Sequence, residues 1–167
     1  MIHLASNNSN STLSTFTDDQ IQPNAMDLRV DKIFSIMYEN KFEISEDGKV
    51  HRGSLEIKPD KDGWWSLGPG TYEIIMEGEI EIGHDEAGWV ITRSTLNRNG
   101  IFLTSGLYDS GYKGVMAGAM HITGNRLTNT RIKKGTRVGQ FLLFKAEAVI
   151  QYDGDYGTGK YDEVYKV

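Results

Sequence analysis

At 167 residues, 38% hydrophobic and 25% charged, the chain has the length and composition of one globular domain with a real core. A formal net charge of −5 argues against a nonspecific nucleic-acid binder, which needs a basic face. The absence of cysteine excludes disulfides, thiolate nucleophiles and zinc–thiolate sites, including the cysteine-ligated zinc of the nucleobase deaminases. No apolar run is long enough to span a membrane, and Ser6 to Thr12 is too polar for a signal-peptide core. A cytoplasmic protein is therefore expected, or one in the host cytoplasm if the source is a virus. The four histidines, His3, His51, His84 and His121, never fall at a metal-ligand spacing.

Residues 1–20 are rich in Ser, Thr and Asn and read as a polar N-terminal arm, a short element followed by a loop. After a turn at Pro23-Asn24, Met26, Leu28 and Val30 alternate with Asp27 and Arg29, the period of a strand with one buried face. That pattern places Asp27 toward solvent. Asp31 to Asn40 is the one short helix candidate. Phe42, Ile44 and Val50 around Asp47-Gly48 predict a hairpin. Leu55 and Ile57 alternate with Glu56 and Lys58. Trp64, Trp65 and Leu67 lead into a tight turn at Gly68-Pro69-Gly70.

Residues 71–82 alternate over a long span, with Glu77, Glu79 and Glu81 on a solvated face. A turn from Gly83 to Gly88 precedes a strand over 89–93. Further strands are expected at 101–103 and 115–123, and two more within 131–152 around Gly135 and after Gly139. Residues 153–167 form a Gly-rich tail. Short strands with frequent turns predict an all-β sandwich or barrel, undivided by any linker or repeat.

Two stretches carry chemistry. Arg93, Ser94, Thr95 and Arg98 gather guanidiniums and hydroxyls, groups suited to phosphate oxygens. Asp109 stands among Gly106, Ser110, Gly111, Tyr112 and Gly114, where a lone carboxylate can serve as a base or touch a metal. On residue types and spacing alone, ordinary turn chemistry accounts for both stretches more simply than a site does. The tail fits the spacing GxxxxGK from Gly154 to Lys160, but Tyr161 follows and no helix has room to form. A P-loop is excluded; glycine N–H groups and Lys160 remain able to close over phosphates.

Taken in order, IQPNAMDLRV, LGPGTYEI, RSTLNR, GLYDSGYKG and KKGTRVGQFLLF resemble the motifs of the dUTPase and dCTP deaminase superfamily over roughly residues 21–161. The motif style is nearest the deaminase branch. The resemblance implies a distorted β-barrel or jelly roll, the dUTPase-like β-clip, spanning the whole chain as one domain. It implies a homotrimer with sites shared between subunits, a dUTP or dCTP substrate, and Mg²⁺ bound mainly through the triphosphate. Asp109 matches the carboxylate that orients the attacking water, and Tyr112 the aromatic packed on deoxyribose. Arg93, Ser94, Thr95 and Arg98 match the phosphate-contacting motif, and Gln140 the glutamine of the fourth. Gly157, Thr158, Gly159 and Lys160 would close over the site. Asp27 matches an aspartate with a supporting role near the metal or the subunit contact.

The chain departs from that pattern in three places. The deaminases' catalytic Glu falls at Ala119, which disfavours deamination. The hairpin between Gly100 and Asp109 is about two residues short, which leaves the preferred pyrimidine open. Tyr108 replaces the usual Ile beside Asp109. The expected activity is hydrolysis of dUTP to dUMP and pyrophosphate. The alternatives are a dCTP deaminase, alone or bifunctional, and a trimeric binding or structural module, for instance viral, that has lost the chemistry.

Overall fold

The structure is a computed structural model that describes residues 1–154 and 156. Nearly all of its regular structure is β. Twelve strands run in chain order: β1 (Thr12–Leu13), β2 (Met26–Ile36), β3 (Glu43–Ser45), β4 (Gly48–Val50), β5 (Ser54–Glu56), β6 (Trp64–Leu67), β7 (Gly70–Glu81), β8 (Glu86–Thr92), β9 (Ile101–Thr104), β10 (Lys113–Ile122), β11 (Thr130–Lys133) and β12 (Arg137–Lys145). One turn of helix, α1 (Ser94–Asn97), follows β8, and a 3₁₀ turn covers Asp18–Gln20.

The main sheet has the order β8-β12-β2-β7-β10-β9, with β1 added to β7 and β5 to β2. Its two ends are brought together by side chains rather than by a ladder. The Thr92 hydroxyl accepts from the Leu103 amide at 2.6 Å and donates to the Leu103 carbonyl at 3.3 Å. The Val90 amide donates to Ser105 Oγ at 3.3 Å. These bonds join β8 to β9 and nearly close a barrel. The expected all-β barrel is therefore what the chain builds.

The core lies inside this curved sheet. Met26, Leu28, Val30 and Ile33 of β2 meet Ile74 and Met76 of β7, Met116 and Met120 of β10, and Phe141 and Leu143 of β12. Full burial of one such side chain is worth about 1.5–3 kcal/mol, so this cluster dominates the stability of the fold.

Irregular pairing explains where simple alternation misleads. Val30 pairs with Met76 but Lys32 with Ile75, a bulge on β2. Opposite β10, the register jumps from Val115–Glu79 to Ala117–Ile75. A bulge exchanges the faces beyond it, so Ile74, Ile75 and Met76 are all buried in succession. Ile33 and Phe34 are likewise both buried, which mimics a helical pattern. The helix candidate over 31–40 is thus overturned: residues 26–36 form one continuous strand.

The hairpin at Asp47-Gly48 forms as expected, with Ser45 paired to Gly48 across a two-residue loop. Residues 54–56 are a strand with the opposite face inward: Ser54 is buried and Leu55 points out. The turn expected from Gly83 to Gly88 ends early, because Glu86 to Gly88 already belong to β8.

The polar arm is docked rather than extended. Ile2 bridges to Leu143, and β1 pairs with the end of β7. Its main anchor is Glu86, which is completely buried. Glu86 accepts from the Ser11 amide at 2.9 Å, the Ser11 hydroxyl at 2.5 Å, the Asn10 amide at 3.0 Å and Lys145 at 2.9 Å. Burial works against ionisation of Glu86. The hydrogen bonds from Ser11, Lys145 and Asn10 outweigh it and hold the pKa below the ordinary glutamate value.

Candidate functional site

The residues marked in the sequence fall into two groups within one chain. The first lies where β2, β8 and β12 run side by side. Gln140 is the register partner of both Asp27 on β2 and Ile91 on β8, so the three strands converge at one level. Asp27 is completely buried there. The assignment of Asp27 to a solvent face is therefore wrong, since β2 is covered on both sides.

The Asp27 carboxylate sits under two guanidiniums. Arg93 Nε lies 3.2 Å and Arg137 Nη1 3.5 Å from Oδ2, and Gln140 Nε2 donates to Oδ1 at 3.2 Å. Oδ2 accepts no well-formed hydrogen bond among the described residues. Arg93 Nη1 also donates to the Arg137 carbonyl at 3.2 Å, and the Arg93 amide to the Val138 carbonyl at 3.1 Å. Arg137 Nη1 reaches Asp19 as well, 3.8 Å from its Oδ2. Asp19 in turn pairs with Arg29 at 2.6 Å. The Thr17 hydroxyl, and after it Arg29, hold the Asp19 carboxyl below the ordinary aspartate value.

Three arginines thus share two carboxylates and leave one positive charge in excess. The arginine side chains are part-exposed, with 24% of Arg29, 27% of Arg93 and 30% of Arg137 accessible, so the excess is presented outward. Ser94 and Thr95 of α1 and the adjoining Arg98 are exposed beside them. Arg29 and Arg137 were not singled out from the sequence, although both lie inside the motifs quoted there. Their position opposite each other on β2 and β12 joins them to Arg93, and pairing of that kind is not written in local sequence.

The second group is Asp109 and Tyr112, of which Tyr112 lines a cavity of about 540 Å³. Its wall takes Leu107, Tyr108, Tyr112, Val115, Ala117 and Ala119 from the loop before β10 and the adjoining strand, and it also includes Phe42, His51, Arg52, Ser54 and Glu73. Tyr108 stacks edge-on to Tyr112 at 5.2 Å, and Tyr112 to Tyr152 at 5.4 Å. The Tyr108 hydroxyl donates to the Ala117 carbonyl at 2.9 Å, and that of Tyr112 to the Val115 carbonyl at 2.6 Å. The two rings are locked in place, each polar tip satisfied on β10.

Asp109 lies between these tyrosines in sequence and is exposed. Its turn is clamped on both sides. Tyr108 exchanges two backbone bonds with Gly88, at 2.8 and 2.9 Å, and Ser110 Oγ donates to the Glu86 carbonyl at 2.6 Å. The turn closes through the Tyr112 amide onto the Asp109 carbonyl at 2.9 Å, with Gly111 at φ +84° supplying the left-handed residue. The backbone of Asp109 is therefore fixed between two tyrosines of the cavity wall, while its exposed side chain stands outside that wall.

Of the described site residues expected from the sequence, only Tyr112 is in the cavity wall, which includes none of Asp27, Arg93, Ser94, Thr95, Arg98, Asp109 or Gln140. Within one chain the cationic group and the cavity are separate surfaces. Gly157, Thr158, Gly159 and Lys160 lie outside the described residues. Local sequence does not mark several of the pocket residues, Arg52, Ser54, Tyr152 and Glu73 among them. Glu73 on β7 faces the cavity, paired across the ladder with Ala119, and nothing local in the alternation of β7 marks it.

The dCTP deaminase-like family model matches residues 2–146. The chain belongs to the dCTP deaminase-like family. Within that family it is 33% identical over 144 residues to a probable deoxyuridine 5'-triphosphate nucleotidohydrolase of Halobacterium salinarum, covering 83% of this chain and 84% of that protein. It is 30% identical over 164 residues to the deoxyuridine 5'-triphosphate nucleotidohydrolase of Methanocaldococcus jannaschii, covering 98% and 97%. The fold resembles that of the 2'-deoxycytidine 5'-triphosphate deaminase from Agrobacterium tumefaciens, with a TM-score of 0.58 at 16% identity. That match spans 84% of this chain and 45% of the other, so this dCTP deaminase-like chain corresponds to about half its length.

The described residues contain no helix long and apolar enough to cross a membrane.

Proposed function

We propose that this protein hydrolyses a pyrimidine deoxynucleoside triphosphate, dUTP first, to the monophosphate and pyrophosphate. The observation that carries the reading is Asp109, an exposed carboxylate on a turn flanked by Tyr108 and Tyr112 of the cavity wall, in a chain whose relatives are named dUTP nucleotidohydrolases. Tyr112 and Tyr108 offer flat apolar surface to sugar and base. Asp109 orients a water and takes its proton as the oxygen attacks the α-phosphorus. The bond to the bridging oxygen breaks and pyrophosphate leaves.

The charge that develops needs cations. Arg93 and Arg137, held from beneath by Asp27, supply them beside the hydroxyls of Ser94 and Thr95 and the guanidinium of Arg98. The residues also suit Mg²⁺. No three carboxylates or histidines gather into a cage among the described residues, and Mg²⁺ takes most of its shell from phosphates and water. When bound it would neutralise the triphosphate. Asp109 is the exposed carboxylate available to it or to its waters. Asp27, covered by guanidiniums, positions Arg93 instead. Gly157, Thr158, Gly159 and Lys160 would close over the phosphates.

Because the cationic group and the cavity do not share a wall in one chain, a complete site takes the two from different copies, in a homotrimer. Two individually inactive variants test this directly. Asp109→Asn is expected to lower turnover by about 10²–10⁴-fold while nucleotide binding persists. Arg93→Ala is expected to be similarly inactive. Refolding the two together should restore part of the activity, because some seams then combine an intact Asp109 with an intact Arg93. No recovery, with both variants folded and mixed, would mean that the site is not shared.

Deamination is the second reading. Ala119 stands where that chemistry needs a carboxylate. Following pyrophosphate and ammonia from each deoxynucleoside triphosphate separates the two: pyrophosphate from dUTP supports hydrolysis, and ammonia from dCTP supports deamination.

A further inference from the structure

Glu73 is the one carboxylate in the cavity wall among the described residues, and the mechanism above leaves it unused. It is half-buried on β7. The hydroxyl of Ser54, itself buried, donates to its Oε2 at 2.7 Å and fixes the side chain. Among the described residues no donor reaches Oε1. Across the ladder Glu73 faces Ala119, and Ala117 follows on the same strand. Directly opposed residues lie side by side on one face, so two methyl groups leave the space before the carboxylate open. Arg52 also lines the cavity but, among the described residues, makes no ion pair with Glu73, so a carboxylate oxygen bordering this cavity loses solvation when a ligand fills it, unless the ligand brings a donor.

We infer that Glu73 is a specificity-determining residue that accepts an N–H from the pairing edge of a pyrimidine base. That chemistry occurs in uracil, at N3–H, and in cytosine, at the 4-amino group, which carboxylates are suited to read. Ser54 positions the acceptor, and Ala119 makes room for the base. The inference rests on the proposed nucleotide reading of this cavity and adds the group that reads the base.

The test is calorimetric titration with the α,β-imido analogues of dUTP and dCTP, and with pyrophosphate, so that turnover plays no part. Glu73→Met keeps the length of the side chain and removes the acceptor. It should weaken at least one analogue by about 10- to 100-fold, the scale of a lost base-edge contact, and leave pyrophosphate affinity and Tm nearly unchanged. Glu73→Gln, which retains one acceptor, should bind better than Glu73→Met. A larger loss with the dUTP analogue assigns N3–H, and a larger loss with the dCTP analogue assigns the amino group. Equal weakening of pyrophosphate and nucleotide would show a structural role and overturn the inference. So would unchanged nucleotide affinity. Ammonia released from dCTP by the unmodified protein but not by Glu73→Gln would make Glu73 a proton carrier and replace the binding role. Failure of the unmodified protein to bind either analogue would overturn both this inference and the nucleotide reading.

Discussion

Glu86 and Asp27 are both carboxylates with no solvent exposure, and the chain treats them in opposite ways. Both oxygens of Glu86 are hydrogen-bonded, to backbone amides, a hydroxyl and a lysine of the same chain. Asp27 has one side-chain hydrogen bond, from Gln140, and two guanidiniums that pass over its other oxygen without bonding it well. A carboxylate saturated from within serves the fold: Glu86 fastens the N-terminal arm to β8. A carboxylate that only neutralises cations from below leaves their outer edges free for another anion. The difference separates structure from function more sharply than burial does.

The largest effect should come from Asp27→Asn. Removing one partner of a buried charge cluster strands the others, at a cost of about 3–5 kcal/mol. Arg93 and Arg137 then repel each other and lose their aim. The expected result is a strong fall in Tm together with a rise in KM for the triphosphate. If Asp27→Asn lowers Tm but KM and kcat stay as they were, Asp27 belongs with Glu86 and the comparison fails.

Glu86→Gln should separate cleanly from it. Losing the charge and mismatching an amide against donors costs about 1–3 kcal/mol, while kcat and KM hold. Its pH dependence has a definite sign. The folded-state pKa of Glu86 is depressed, so its contribution is present above the ordinary glutamate value of 4.5 and disappears as pH falls through the lower folded value. The loss of Tm on acidification should therefore be shallower in Glu86→Gln than in the unmodified protein. Identical acid profiles would show that the arm is not held by this charge.

Gly88→Ala probes the route from the anchor to Asp109. A Cβ at residue 88 would sit 2.0 Å from the Phe141 ring, a clash costing about 1–3 kcal/mol. Gly88 is also the backbone partner of Tyr108, so relief of the clash must displace the loop that carries Asp109. A fall in kcat should accompany the fall in Tm. Thermal loss without loss of kcat would mean that the loop keeps its place without the Gly88 bridge.

Much of the barrel is legible in the sequence alone. The hairpin at Asp47-Gly48, the strands at 101–103 and 115–123 and the long run over 71–82 follow from alternation and turn residues. The pattern fails at bulges: the helix candidate over 31–40 lies where the period of two breaks, as β2 slips against β7. It fails also for Asp27, since one strand's alternation cannot show that β12 and two arginines cover its polar side. Glu86 was hidden in an apparent turn, and Glu73 in an ordinary strand. In each case the deciding neighbour lies far away in sequence. Asp109 and Arg93 stand out as candidates because their surroundings, glycines and hydroxyls, are local.

Asp19 offers the finest cut. It shares Arg137 with Asp27, at 3.8 Å against 3.5 Å, and it also pairs with Arg29. The difference is exposure, since about half of the Asp19 side chain is accessible and none of Asp27. An exposed pair is screened by water and salt, so Asp19→Asn should leave Tm almost unmoved. Its depressed pKa gives the same sign as Glu86, stability lost on acidification, but too little to register at physiological salt. The functional consequence should run the other way. If the arginines bind the triphosphate as proposed, Asp19 competes for the outer face of Arg137, so its removal should lower KM for the triphosphate slightly, and most visibly at low ionic strength. A higher KM in Asp19→Asn would mean that the exposed aspartate orients the arginines as the buried one does, and that burial is not what distinguishes them.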